Sequence, residues 1–257
     1  MSEKNIKRVC VVTGSSAGIG AATALWFAKQ NCNVVINYSR DPVPAEAVAE
    51  KCRAVGAEVL VVRANIADND QCLALAAEVR ERFGFVDTLV NNAGTSTKAV
   101  DIKDLNALSA EDFQATYAVN VIGTFQMSRA IAPLMAGRAN ASIINISSIA
   151  GAMGTGSSIA YAASKGAVNT LTLALARSLA PAVRVNAIVP GMVNSNWMRN
   201  LLGPEQFEVR RKRYSDRALL KDIIEPDDAA RTAYWLATDA VKVTGQIINL
   251  DAGFMMG

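Results

Sequence analysis

The chain has 257 residues, with 26 Lys and Arg against 23 Asp and Glu, a net charge of +3, and 51% apolar residues. That length fits one large α/β domain or two small ones, the composition is that of a globular protein, and the charge is too small to argue for a nucleic-acid partner. There is no histidine, which excludes a Ser-His-Asp triad, a His-ligated zinc and any imidazole base.

The start, MSEKNIKR, lacks the basic, apolar and small-residue pattern of a secretion signal, and no apolar run is long enough to cross a membrane, so a cytoplasmic location is expected. The cysteines at 10, 32, 52 and 72 stand singly, without metal spacing, and no metal site is expected. Lys7 to Thr13 reads as a buried parallel strand. It runs into Thr13-Gly14-Ser-Ser16-Ala-Gly18-Ile19-Gly20, and Ala21 to Gln30 follows as a helix. A strand, a Gly-rich turn and a helix make a dinucleotide-binding unit, in which backbone N–H groups and the helix dipole face a pyrophosphate. A tight turn without a ligand is the alternative for this stretch alone.

Val34 to Ile36 reads as a second strand, and the ribose-reading position lies at its end. There the chain carries Tyr38, Ser39 and Arg40, with no carboxylate before Asp41. A carboxylate would repel a 2′-phosphate, whereas a guanidinium pairs with it, so NADP(H) is favoured over NAD(H); a solvated loop arginine is the other reading. Pro42 and Pro44 precede a helix ending at Gly56, Glu58 to Val62 is a third strand, and Asp68 to Phe83 is a helix closed near Gly84. Asp87 to Val90 is a fourth strand, ending in Asn91-Asn92-Ala93-Gly94, a loop of the kind that meets ligands at the carboxyl end of a parallel sheet.

Ser109 to Gly137 reads as a long helical region with Pro133 as a kink or late boundary. Asn120 lies inside it among apolar neighbours, an unusual place for a helix-disfavouring amide unless it has a partner. Ser142 to Ser147 is a fifth strand. Beyond it come Ser148, Tyr161 and Lys165, the last two at the spacing that puts side chains on one helix face. A phenol is a poor acid or base near neutrality, and a nearby ammonium is expected to lower its pKa. Ser148, Tyr161 and Lys165 together could move one proton to or from a substrate oxygen. Ala182 to Val189 and Gln246 to Leu250 complete seven strands. The alternation predicts a single doubly wound α/β domain over 1–257, with a seven-stranded, mostly parallel sheet and helices on both faces. The stretch 192–225 is longer than a connection needs to be and is read as one or two helices forming a substrate lid; its run Arg210-Arg-Lys-Arg213 reads as a solvated helix face.

Taken together these motifs resemble the short-chain dehydrogenases/reductases over nearly the whole chain, with an overall look nearest the 3-oxoacyl-[acyl-carrier-protein] reductases. The resemblance rests on the Gly14 to Gly20 loop, Asn91 to Gly94, Asn120, Ser148, Tyr161, Lys165, Pro190-Gly191 and the segment Thr244 to Gly253. It implies that Tyr161 is the general acid/base, that Lys165 lowers its pKa and holds the nicotinamide ribose, that Ser148 positions the substrate oxygen, and that Asn120 holds a water of a proton relay. It also implies that Asn65, Ile66, Asn92, Ala93, Gly94, Pro190, Gly191, Val193 and Ser195 line the cofactor.

Asn65 stands where relatives often carry an adenine-binding Asp, and Ala17 where many NADP-using members carry an Arg, which leaves Arg40 as the main phosphate partner. Pro133 and the short loop at Pro181 stand near the places of the carrier-docking arginines, which counts against a carrier-protein partner. The resemblance implies a homotetramer and a small carbonyl or alcohol substrate. The leading expectation is an NADP(H)-dependent ketone reductase, a 3-oxoacyl thioester being one such substrate. An alcohol or sugar dehydrogenase is the alternative, and a non-catalytic dinucleotide sensor would be expected to have lost Tyr161 or Lys165.

Overall fold

Short runs of aliphatic and β-branched residues form one sheet in the computed structural model, which describes residues 6–257; the first five residues of the stretch MSEKNIKR lie outside the described part. The strands are β1 (Val9–Val12), β2 (Asn33–Tyr38), β3 (Val59–Arg63), β4 (Thr88–Asn91), β5 (Ser142–Ile146), β6 (Arg184–Pro190) and β7 (Ile247–Leu250). Their order is β3-β2-β1-β4-β5-β6-β7, and every neighbouring pair is parallel, so the sheet is wholly rather than mostly parallel. The order reverses between β1 and β4, which opens a crevice at the carboxyl ends of these two strands.

Helices cover both faces, as strands buried on both sides require. On one face α1 (Gly18–Lys29), α2 (Pro42–Ala54) and α10 (Pro226–Thr238) pack Phe27, Val48 and Leu236 onto Val12, Ile36 and Ile144. On the other, α3 (Asn69–Phe83), α5 (Thr124–Ile131) and α7 (Ile159–Leu179) pack Leu75, Met127 and Leu175 onto Val11, Leu89 and Ile143.

Three local features differ from the sequence expectation. The helix expected after the two prolines begins at Pro42 itself: Asp41 caps it by accepting from the Val43 N–H at 2.9 Å, and the first turn has no need of the proline N–H groups. The helical region from 109 is not continuous. It runs as α4 (Ala110–Tyr117), a π-helical turn (Ala118–Gly123), α5 and a 3₁₀ turn (Ala132–Met135) containing Pro133. The π turn ends at Gly123, where a Cβ would lie 2.8 Å from Ile66 Cδ1. The second strand is also longer than read, reaching Tyr38.

Residues 192–225 form α8 (Asn196–Leu202) and α9 (Pro204–Arg217), joined at Gly203, whose φ of +78° suits glycine. The two ends of this insertion meet: Val193 bridges Ile224, the Ile224 N–H donates to Met192 O at 2.8 Å, and the Asn194 N–H donates to Ile224 O at 2.8 Å. The insertion has a small core of its own, made of Met192, Phe207, Tyr214, Ala218 and Ile223.

Candidate active site

The Gly-rich loop is shaped by close approach. Gly14 has φ +60°, and a Cβ there would stand 2.8 Å from Ala93 Cα; a Cβ on Gly20 would stand 2.4 Å from Asn92 Nδ2. The loop is buttressed on both sides. From β4, Asn92 Nδ2 donates to Thr13 O and Gly14 O, both at 3.0 Å, and Thr13 Oγ1 accepts the N–H groups of Asn92 and Ala93 at 3.0 and 3.1 Å. From β2, the buried Asn37 accepts the Gly14 N–H on Oδ1 at 3.1 Å and donates from Nδ2 to Ala64 O at 3.0 Å. Asn92 therefore clamps the loop, and Asn37, which the sequence reading passed over, does the same from the other side.

The first turn of α1 has no side-chain cap at Ala17 and no acidic residue. Its free N–H groups and positive dipole end point into the crevice, where they suit a phosphate. Across the crevice, Ser195 Cβ would lie 3.8 Å from a Cβ on Gly18. Ser195 accepts the Met198 N–H as the cap of α8 and keeps its own O–H free to donate.

At the end of β2, Ser39 and Arg40 are exposed and Tyr38 is half-buried. Among the described residues Arg40 has no ion-pair partner, and neither has Arg63, which β3 places in register with Tyr38 and which donates from Nε to Ser39 O at 3.4 Å. Two guanidinium groups without an ion pair among the described residues thus stand at this corner, beside the Asp41 carboxylate that caps α2. Asn65 is exposed beyond it, with Oδ1 accepting the Ala67 N–H. Ile66 behaves differently from the rest of the predicted set: its side chain belongs to the core, and its carbonyl accepts from Gln126 Nε2 at 2.8 Å.

Ser148, Tyr161 and Lys165 come together at the carboxyl end of β5. Tyr161 and Lys165 lie in α7, whose start is capped by Ser158 accepting the Tyr161 N–H at 3.1 Å. The segment after Ser148 forms the short helix α6 (Ala150–Met153), which reaches α7 through glycine: a Cβ on Gly151 would stand 2.5 Å from Gly166 N. That backbone contact brings the Ser148 turn against the Tyr161 face, and only a glycine at 151 allows it.

Lys165 is buried, and its Nζ lies 5.6 Å from the centroid of the Tyr161 ring and donates to Ile146 O at 2.8 Å. Burial lowers its pKa to about 8. Burial also pushes the Tyr161 phenol up to about 12, with the neighbouring Ser148 hydroxyl acting in the opposite direction. Burial thus outweighs any lowering by the ammonium. Desolvation dominates at Tyr161, and the lysine is bonded to a backbone carbonyl rather than to the phenol.

Asn120 sits in the π turn and is 1% exposed. Its Oδ1 accepts the Thr95 N–H at 2.7 Å, and its Nδ2 donates to Thr95 O and Ser164 Oγ, both at 2.9 Å. The amide is thus committed to the loop after β4, and its backbone carbonyl accepts from Thr124 Oγ1 at 2.8 Å. The loop it secures carries Gly94, where a Cβ would approach Lys165 Nζ to 3.4 Å.

Pro190 ends β6, Val193 is buried in its bridge to Ile224, and Gly191 lies beneath α9. A Cβ on Gly191 would stand 1.8 Å from Tyr214 Oη, which donates to Asp251 O at 2.7 Å. Tyr214 also stacks on Phe254 with ring centroids 4.1 Å apart and an interplanar angle of 4°. Phe207, within the stretch 192–225, is fully buried beneath Arg199 and so forms the packing of the insertion. Trp197 is the aromatic that faces the site: it is 39% exposed, and its ring centroid is 6.2 Å from that of Tyr161. Nothing in the spacing of Trp197 announces this, because α8 is too short to show a periodic face.

Comparison with known proteins agrees with this geometry. A family model described as short chain dehydrogenase matches residues 8–205. A 3-oxoacyl-[acyl-carrier-protein] reductase from a Synechocystis species is 35% identical over 253 residues, covering 97% of each chain. A solved short-chain dehydrogenase/reductase from Burkholderia xenovorans superposes with a TM-score of 0.91 at 40% identity, covering 99% of this chain and 100% of the other. The ligand-free aldohexose dehydrogenase of Thermoplasma acidophilum superposes with a TM-score of 0.85 at 26% identity, covering 98% and 95%.

Proposed function

The chain belongs to the short-chain dehydrogenase family, and from that premise we propose that it is an NADP(H)-dependent reductase of ketone carbonyls, with 3-oxoacyl thioesters the first substrates to test. The observation that carries this reading is the meeting of Ser148, Tyr161 and Lys165 beside the Gly-rich turn that leads from β1 into the uncapped N-terminus of α1.

The residues present fit such a cofactor. The uncapped α1 N-terminus suits the pyrophosphate, with Gly14, Ser16, Gly18, Ile19 and Gly20 around it. Arg40, assisted by Arg63, suits a 2′-phosphate, and Asn65 suits the adenine. Asn92, Ala93 and Gly94 would hold the sugar from the β4 side, and Pro190, Gly191, Val193 and Ser195 would line the nicotinamide. When bound, the nicotinamide supplies or takes up the hydride.

The chain's own residues handle the proton. With its phenol near 12, Tyr161 is protonated at neutral pH and can donate to the oxygen of a carbonyl as charge develops there. The Ser148 O–H orients that oxygen. Once the proton has left, the Lys165 ammonium 5.6 Å from the ring favours the phenolate. Asn120 acts by holding Thr95; its amide and its backbone carbonyl are both engaged, so a relay water would have to take the second lone pair of that carbonyl. Residues 192–225 serve as the substrate lid. Exposed Ile122 and Phe125 support assembly into a homotetramer, in the cytoplasm. The proposal does not extend to a carrier protein, because Pro133 in the 3₁₀ turn offers no charge for docking.

The test is NADPH oxidation with acetoacetyl-coenzyme A, against an NADH control. Turnover with NADPH that disappears in Tyr161→Phe, with NADPH affinity retained, is the expected result. Near-normal activity of that variant would refute the assignment of Tyr161. The likeness to an aldohexose dehydrogenase favours one further arm, NADP⁺ reduction with hexoses; turnover there alone would make the protein a sugar dehydrogenase.

A further inference from the structure

We propose that Trp197 is a specificity-determining residue that selects neutral ketones carrying a flat, unsaturated group next to the reacting carbonyl. This rests on the reading of Tyr161 as the proton donor.

Trp197 opens α8 and remains 39% exposed in a region where the other large aromatics, Phe207 and Tyr214, are buried. Its ring stands 6.2 Å from Tyr161, at an interplanar angle of 36°. That separation lies within the range of rings in contact, about 4.5–7 Å between centroids, so the two rings touch at a tilt and the part of the indole that remains exposed lies next to the proton donor. A flat group beside the reacting carbonyl can lie face-on against that exposed part. A saturated ring presents no flat face and gains less from it.

The surrounding chemistry is neutral. From Ser148 to Tyr161 there is no charged residue. Arg199, two residues beyond Trp197, is turned away: it pairs with Glu208, donates to Asn194 Oδ1 and lies over the Phe207 ring. Lys98, on the loop after β4, pairs with Asp112 at 2.8 Å. The one remaining cation near Tyr161 is the buried Lys165, bonded to Ile146 O. A carboxylate or phosphate placed beside the carbonyl would lose its water without a partner there, and a charge is costly to bury unpaired. An apolar planar substituent gains the indole face instead.

The experiment compares two neutral ketones of like size, acetophenone and cyclohexyl methyl ketone, with the unchanged protein, Trp197→Ala and Trp197→Phe. NADPH affinity is followed separately by nicotinamide fluorescence. The expected result is that the unchanged protein prefers acetophenone, and that Trp197→Ala lowers kcat/KM for it about tenfold while changing the cyclohexyl ketone less than about twofold. Trp197→Phe keeps most of the preference, and NADPH affinity is unchanged in both variants. Equal losses on both ketones, or a Trp197→Ala variant with the preference intact, would overturn the inference. So would an unchanged protein that reduces acetoacetyl-coenzyme A but neither aryl nor cyclohexyl ketone in preference. Failure to reduce any carbonyl, by contrast, is failure of the reductase reading itself.

Discussion

An alanine at Gly191 would test whether the insertion is seated on the loop that ends β6. The added Cβ would stand 1.8 Å from Tyr214 Oη, 2.8 Å from Tyr214 Cζ and 3.1 Å from Asp251 Cα. Ordinary carbon contacts lie at about 3.5 Å, so the phenol must retreat by roughly 1.5 Å. It has nowhere to go within its present packing, being stacked on Phe254 at 4.1 Å and bonded to Asp251 O at 2.7 Å. The variant therefore has to lift α9 and give up that hydrogen bond. Overpacking costs about 1–3 kcal/mol and the lost bond about 1 kcal/mol, or roughly 2–4 kcal/mol together. In a chain of this size each kcal/mol moves Tm by about 2–4 °C, so a fall of roughly 5–15 °C is expected in thermal unfolding followed by circular dichroism. Adding Tyr214→Phe removes the atom at 1.8 Å and should restore part of the loss, since Cζ still intrudes. A Gly191→Ala protein that melts within about 1 °C of its parent, with the same KM for the carbonyl, would refute this account of the contact.

Two other outcomes follow from the site. Arg40→Asp should shift the NADPH/NADH ratio of kcat/KM toward NADH by about tenfold or more, because a charge-assisted bond is replaced by a repulsion; a ratio unmoved by the change would remove Arg40 from the phosphate site. Lys165 is held at about 8 against its ordinary 10.5, so between those pH values the unfolded chain binds more protons than the folded one and stability rises with pH. Tyr161, raised from 10 to about 12, contributes the opposite slope above pH 10, and the four buried cysteines, raised from 9.0, contribute it from about pH 9. The cysteine contribution is common to parent and variant, so urea unfolding at pH 8, 9 and 10 should show a more positive slope in the parent than in Lys165→Met; an identical slope in both would mean that burial does not control the lysine.

The strands were legible because a sheet buried on both faces demands uninterrupted aliphatic runs, and runs such as Val34 to Ile36 are hard to mistake. The meeting of Tyr161 with Lys165 was legible for a similarly local reason, one turn of helix. What escaped was set by tertiary contact. The close approach of Ile66 to Gly123, at the end of the π turn that breaks the 109–137 helix, joins residues far apart in sequence. The rise of the Tyr161 pKa depends on how deeply the phenol is buried, which spacing does not encode. Phe207 and Trp197 are both aromatics of one polar stretch, and only packing decides that the first is core and the second faces the site. Asn37 and Arg63 were passed over because their importance comes from strand register, Asn37 beneath the Gly loop and Arg63 beside Tyr38.

The insertion leaves and rejoins the fold at a single point, where Val193 lies beside Ile224. Its entry and exit are therefore already at hairpin distance, and what lies between them can lengthen or shorten without stretching the sheet. The entropic penalty of such a closed loop grows only logarithmically, by about 0.6 kcal/mol for each doubling of length. The stretch between these residues thus behaves as an exchangeable cassette. The proposed proton donor Tyr161 and the Gly-rich loop lie outside the junction, while Trp197, proposed to meet the substrate, and Ser195 on the crevice lie within it. A lineage could rewrite what the protein accepts by changing this one contiguous piece of sequence, leaving the chemistry that acts on it in place.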